Sequence, residues 1–436
     1  MRDLTEADVL AMSERLEEPD WLRDRRQEAF KAFSDLEWPT KTDEEWRKTH
    51  PERFDLDRPV VVADPEEAAD VAWPDDGVVA TLGDQVAGSI RIVDGAVVDA
   101  QSNAAGLLVT DLATAARQEP YVVHNAFGVA VAAEEKFDAL NFAAFTDCAF
   151  VRVSAETEIA DPITITIQAD TDGAHVPRVL VVLEAFAKAK IYIDHVGDAR
   201  ATVVEVVETV VGDGAHAQVL TAQNWGPGID HIGRHRGYVQ RDAVYRHLEA
   251  SLGGRTVYVR PDVGLDRPGG HGELFGVYFG SEDQQMEHRS VIHHNAPKTS
   301  SESIYKGALQ GTARATWFGN IRIEPHAKAT TSDETNRNLI LTDGAHADSI
   351  PFLEILCSDV VSCGHHSSVG QVDAAQLFYL TSRGIPYGEA VRMLVFGFFG
   401  EVTDRIELPG VTETILAEIE REIQVTIPAV MDPRRS

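Results

Sequence analysis

The stretch FAKAKIYIDHVGDARATVVEVVETVVGDGAHAQ (186–218) holds three copies of one small device: a turn, then Ala-Xaa-Ala, then a strand-like run. The copies are FAKAK (186–190), DARAT (198–202) and GAHAQ (214–218), and TARAT (312–316), HAKAT (326–330) and GAHAD (344–348) follow downstream. Small residues just after a turn suit a stacked solenoid, whose successive coils approach closely at each corner. Around these copies, β-branched and aromatic runs recur from Phe150 to about Gly370: ITITI (163–167), KIYID (190–194), TVVEVVETVV (202–211), RTVYVR (255–260) and ELFGVYFG (273–280). Gly, Asp and Pro turns separate them, and no helical period persists. A sandwich or barrel can be this large, but the repeat favours a parallel β-helix.

On either side the periodicity changes. Leu4, Val9, Leu10, Met12 and Leu16 fall roughly on one helical face, Pro19-Asp20 breaks it, and a second helix fits Trp21 to Phe33. The text from Pro59 to about Val123 reads as mixed structure, and Phe127 to Phe145 as one more helix. After Val369 three helices are predicted: Asp373 to Ser382, a second opened by Pro386 and running through Ala390, Leu394, Val395 and Phe398, and a third from Thr412. The predicted division is 1–149 helical and mixed, 150–370 β-helix, and 371–436 helical. The last region is expected to cap the solenoid's end or to dock a partner.

The chain of 436 residues has 39 Lys+Arg against 70 Asp+Glu, a formal charge of −31. An anionic surface cannot neutralise phosphates, so no nucleic-acid partner and no anionic membrane are expected. The longest apolar runs, such as Met393 to Gly400, fall short of the ~20 residues a spanning helix needs. The N-terminus MRDLTEADVL is acidic and polar, unlike a signal peptide. Three cysteines, Cys148, Cys357 and Cys363, make no disulfide framework. These features predict a cytoplasmic protein. Only 9 of the 39 basic residues are Lys. With the acidic excess, this predicts a halophilic protein whose folding needs high salt, because molar salt shortens the Debye length to roughly 3 Å.

Cys363-Gly364-His365-His366 is the sharpest chemical cluster. On a strand, Cys363 and His365 share a face and His366 points away. Thiolate and imidazole together suit iron, zinc or an iron–sulfur cluster, or a nucleophile–base pair, and two ligands are half a tetrahedral site. MEHRSVIHH places His288, His293 and His294 close in sequence, at no recognised ligand spacing. Asp262, Asp266, Glu273 and Glu287 could supply a carboxylate pair of the kind β-helical carbohydrate-active enzymes use. Walker A, HExxH, GxSxG and GxGxxG patterns are absent.

Several segments together resemble the SufB/SufD family of iron–sulfur cluster assembly proteins. They are PTKTDEEWRKT (39–49), KFDALNFAAFTDCAFVRVSAETEIADPI (136–163), MEHRSVIHHNAPKTSSESIYKGAL (286–309), WFGNIRIEPHAKATTSDETNRNLIL (317–341), PFLEI (351–355) and DVVSCGHHSSVGQVDAAQLFYLTSRGI (359–385). The resemblance implies a right-handed parallel β-helix with helical N- and C-terminal regions. It implies a non-catalytic scaffold subunit of the SUF system, part of a SufBCD complex, that pairs with a paralogue through the β-helices. The C-terminal helices would dock the SufC ATPase, so no ATP is bound by this chain, and sulfur would arrive indirectly from a cysteine desulfurase system.

The branch follows from the last segment. Where SufB-like chains carry a Cys and a Glu, this chain has Ala345 and His365. Cys363, His365, Val369, Gly370 and Gln371 match the SufD pattern; His366 stands where Gly is usual and Ser368 replaces Thr. The resemblance therefore implies a SufD-like subunit. His365 would offer an imidazole to iron or a transient iron–sulfur cluster at the interface with a SufB-like partner, with Cys363 as a supporting ligand or sulfur acceptor. Cys148 and Cys357 are read as structural. The alternatives are a SufB-like scaffold or homodimer, a purely structural partner, and a β-helical carbohydrate-active enzyme.

Overall fold

The computed structural model describes residues 1–73, 82, 85–406 and 411–430, with 424–430 described by backbone alone. The parts of the predicted mixed region and C-terminal helical region at 74–81, 83–84, 407–410 and 431–436 lie outside the described residues.

Two parallel sheets face each other, each of ten strands among the described residues. Every coil gives one strand to each sheet. Lys188–Val196, His216–Gln223, Val244–Ser251, His271–Gly280, Ser300–Leu309, Thr330–Ile340 and Val360–Gln371 succeed one another across the first sheet. Ala201–Val211, Asp230–Val239, Thr256–Leu265, Gln285–His294, Arg314–Ile323 and His346–Ile355 do so across the second. Ser300 stacks on His271 and Thr331 on Ser300, so one coil takes about 30 residues, a solenoid repeat. The protein is a mainly β parallel solenoid with helical regions at both ends of the chain.

The corner alanines do what their pattern requires. Ala187, Ala189, Ala199, Ala201, Ala215, Ala217, Ala313 and Ala315 are all buried in the cluster that fills the solenoid. HAKAT departs from it: Ala327 is buried, but Ala329 is exposed at φ 58°. Strand structure begins earlier than the Phe150 expected. Gly88–Val93 and Ala96–Ser102 form an antiparallel hairpin across Asp94-Gly95, both at positive φ (48° and 80°), the two-residue turn whose twist suits such strands. Leu107–Asp111 pairs antiparallel with Asp147–Val153. Both antiparallel pairs close the N-terminal end of the stack.

The single helix expected over Phe127 to Phe145 is broken. Only Lys136–Ala144 is helical there, preceded by short helices Leu112–Gln118 and Pro120–Ala126. The physical reason is Gly128, at φ 75°, where a Cβ would lie 2.8 Å from the Phe142 ring.

Each sheet's outer face is covered by one terminal region. Helices Glu6–Arg15 and Asp20–Asp35, with Trp46 and Phe54, pack on Val204, Ile232 and Tyr258 of the second sheet. Helices Tyr387–Thr403 and Val411–Val430 lie on Leu220, Leu248, Phe275, Phe279 and Ile304 of the first. The expectation of an end cap is therefore corrected. These helices are amphipathic against a sheet face whose outward residues are large and apolar, so among the described residues they flank the solenoid and leave its end free.

Candidate functional site

Val360–Gln371 is the last strand of the first sheet, bonded to Thr330–Ile340 on one side and to no strand on the other among the described residues. His346–Ile355 ends the second sheet in the same way. The C-terminal end of the solenoid is thus an open mouth with two free strand edges. In register, Cys363 lies over Ser332, His365 over Glu334, Ser367 over Asn336 and Val369 over Asn338. Ser332, Glu334, Asn336 and Asn338 are all buried and form a polar floor one coil down. Cys363 is half-buried and packs against the interior cluster. His365, two residues on, shares that face and is exposed in the mouth. His366 takes the other face, with Nε2 3.5 Å from the exposed Asp333 carboxylate.

Burial, reinforced by the carboxylates of Glu334 and Asp333, pushes the Cys363 thiol up to about 11, so the lone chain holds it protonated at neutral pH. A cation at the mouth would reverse that balance, since a coordinating metal deprotonates a thiol. Beneath it, burial and the neighbouring Asp333 push Glu334 up to about 8. Neither Glu334 oxygen has a hydrogen-bond partner. The carboxylate fits only because residue 319 is glycine: a Cβ there would lie 2.5 Å from Oε2 and 2.2 Å from the Trp317 ring.

This has a pH consequence. Below the ordinary carboxyl value of 4.5 both folded and unfolded chains hold the proton. Between 4.5 and about 8 only the folded chain does, so stability falls as pH rises, and above 8 the loss is complete. Glu334→Gln is therefore expected to be more stable than the parent at pH 9, by on the order of 5 kcal/mol, and to differ little at pH 4. An equal difference at both pH values would contradict the buried neutral carboxyl.

The other candidates separate. His288 and His294 enter the interior, but His288 Nε2 is 2.9 Å from Ser251 Oγ, and His294 is held between Thr299 and Ser301 hydroxyls. His293 faces outward, 4.0 Å from Asp262. The three do not converge. The carboxylates also disperse: Asp262 pairs with Arg234 at 3.1 Å, Glu287 with Arg289 at 2.8 Å, and Glu273 with Arg246 on the opposite sheet. Cys148 and Cys357 are buried, and burial drives the Cys148 thiol well above its usual range. Sequence reading missed two features, Glu334 and a buried group of Glu205, His231 and His235. The second had a signal: HIGRH (231–235) puts two imidazoles on one strand face.

Exposed large apolar side chains gather at this end of the molecule. Phe352, Ile355, Leu356, Val361 and Val369 lie on or beside the two terminal strands, and Phe378 and Tyr379 on helix Ala374–Ser382, which buries none of its own residues. The PTKTDEEWRKT segment serves as an anchor elsewhere. Trp46 stacks on Tyr258 at 4.3 Å, and Lys48 reaches Asp348 at 2.9 Å.

Residues 165–398 match the family model described as "SUF system FeS cluster assembly, SufBD core domain". A SufBD family protein of iron–sulfur cluster assembly from Mycobacterium tuberculosis is 39% identical over 293 residues, covering 65% of this chain and 73% of that one. The iron–sulfur cluster assembly protein SufD of Bacillus subtilis is 26% identical over 431 residues, covering 95% and 97%. A SufBD family protein of Staphylococcus epidermidis is 26% identical, covering 94% and 91%. The matched core runs from the early coils of the solenoid through the open mouth and into the flanking helices, and on that extent the chain belongs to the SufBD family of iron–sulfur cluster assembly proteins.

Proposed function

We propose that this chain is the SufD-like scaffold subunit of a cytoplasmic SUF complex, pairing end to end with a SufB-like paralogue and docking a SufC-type ATPase. The observation that carries this reading is the open mouth. Cys363 and His365 stand on the last strand of a parallel sheet, whose unpaired edge is a template for another chain. Exposed apolar side chains lie on the same two terminal strands, at Phe352, Val361 and Val369. A second solenoid stacked on both free edges would close the mouth, bury these side chains and bring its own donors to His365. The resemblance to B. subtilis SufD, at 26% identity over nearly the whole chain, supports the same branch.

In this reading iron, or a nascent cluster, is cargo. His365 is exposed on the mouth face, where its imidazole can serve iron directly. Cys363 is a protonated thiol in the lone chain, so it becomes a thiolate ligand or a sulfur acceptor only once cation charge arrives. The chain itself is a scaffold, with ATP hydrolysis in the docked partner. Helix Ala374–Ser382 is the docking element, because Phe378 and Tyr379 are 73% and 58% exposed on it. The −31 charge belongs to a halophilic cytoplasm.

The test is anaerobic co-purification from cells expressing this chain with its SufB- and SufC-like partners, in molar KCl, followed by subunit analysis. The expected result is one assembly containing all three. Elution of this chain alone, or as a homodimer that ignores the paralogue, would contradict the proposal.

A further inference from the structure

Deep in the solenoid, away from the mouth, one carboxylate receives three imidazoles. Strand Ala201–Val211 turns Glu205 inward, and on the next coil His231 and His235 turn inward on either side of Gly233, the residue in register with Glu205. Glu205 Oε2 is 3.1 Å from His231 Nε2 and 3.0 Å from His235 Nε2, and Oε1 is 2.8 Å from His195 Nε2. All four residues are buried. Gly233 makes the arrangement possible: a Cβ there would lie 3.1 Å from His231 Nε2 and 3.3 Å from His235 Nε2. The two nitrogens thus converge over Gly233, where a side chain would crowd both of them. Buried Nδ1 atoms of His231 and His235, and Nε1 of the neighbouring Trp225, lack partners. Each Nδ1 lies across its ring from the Nε2 that faces Glu205, so it can carry the ring proton while Nε2 offers its lone pair to an ion.

We propose that Glu205, His231 and His235 bind a divalent first-row transition ion, ferrous iron or zinc, inside the solenoid. Ligand atoms from these three residues lie within 4.8 Å of one another. Two imidazoles and a carboxylate are the donor set of ferrous and zinc sites, and imidazole disfavours calcium and magnesium. His195 is the positioning residue: it holds the other carboxylate oxygen, and its Nδ1 lies 3.1 Å from the Ala222 carbonyl, the outer partner that orients such groups. The site is separate from Cys363 and His365. Four to five coils intervene, roughly 20 Å at the spacing of neighbouring strands. It contains no thiolate, and its closure makes the ion resident rather than cargo, taken up as the chain folds.

The test uses the full chain, refolded anaerobically with Fe2+, with Zn2+ or with Co2+, then desalted through EDTA. The expected result is about one ion retained per chain from the Fe2+ or Zn2+ arm, a Co2+ visible band from imidazole and carboxylate ligation, and a higher melting temperature than the metal-free chain. Glu205→Gln and His235→Gln are expected to lower retention at least tenfold, while Cys363→Ala with His365→Ala leaves it unchanged. If the folded parent retains under a tenth of an equivalent in both the Fe2+ and Zn2+ arms and shows no Co2+ band, the group is a hydrogen-bonded charge cluster and the proposal fails, whether or not the variants fold. If retention follows Cys363 and His365 instead of Glu205, the ion belongs to the mouth and the proposal fails equally, while the scaffold reading stands.

Discussion

A chain ended after Gln371 is expected to aggregate rather than persist as a bare solenoid. Residues Val391, Val395, Phe399, Val402, Ile415 and Ile419 would be gone, and Leu220, Leu248, Phe275, Phe279 and Ile304 would lose their cover. Full burial of one such side chain is worth about 1.5–3 kcal/mol, so the loss is on the order of 10 kcal/mol or more. That matches the whole stability of a typical domain. Size-exclusion chromatography of the truncated chain should show void-volume material. A monodisperse solenoid with an unchanged melting temperature would overturn the packing argument. The sequence alone left this region to cap the solenoid's end or to dock a partner, because capping an end and covering a flank leave the same helical periodicity. Docking is therefore better tested at the surface. Phe378→Asp with Tyr379→Asp alters a helix that buries nothing of its own, and should weaken binding of the ATPase partner at least tenfold while the melting temperature holds.

Pairing with the paralogue should be abolished by Phe352→Lys combined with Val369→Lys. These residues sit on the terminal strands of the two sheets and are 48% and 47% exposed. Lysine on an edge strand blocks addition of another strand, because its charge would have to be buried. Exposed substitutions typically shift stability by about 0.5 kcal/mol or less, so the isolated variant should melt like the parent and yet fail to retain the SufB-like subunit. Retention of that subunit at parental levels would move the interface elsewhere.

The solenoid was legible because its constraints are local. Ala187 and Ala189 sit two residues apart after a turn, and close coil-to-coil approach at a corner accounts for them. The mouth was half legible. Alternation put Cys363 and His365 on one face, and the structure adds that this face opens over Glu334. Glu334 itself could not be found, since its partner in space is 31 residues away and acidic residues are abundant in this chain. The break at Gly128 was hidden too, because the apolar run around it reads the same whether or not the helix is continuous. The grouping of Glu205 with His231 and His235 depends on coil register, which no single strand encodes.

In the closed mouth this chain is expected to donate His365 as a ligand. The decisive comparison is the iron and sulfide content of the anaerobically purified complex carrying His365→Ala, beside the same complex carrying His366→Ala. His365 stands over Glu334 on the interior face and His366 lies on the opposite one. His365→Ala is expected to lower iron and sulfide severalfold with subunit composition intact, and His366→Ala to retain them. Parental iron and sulfide in His365→Ala, or loss confined to His366→Ala, would contradict that expectation.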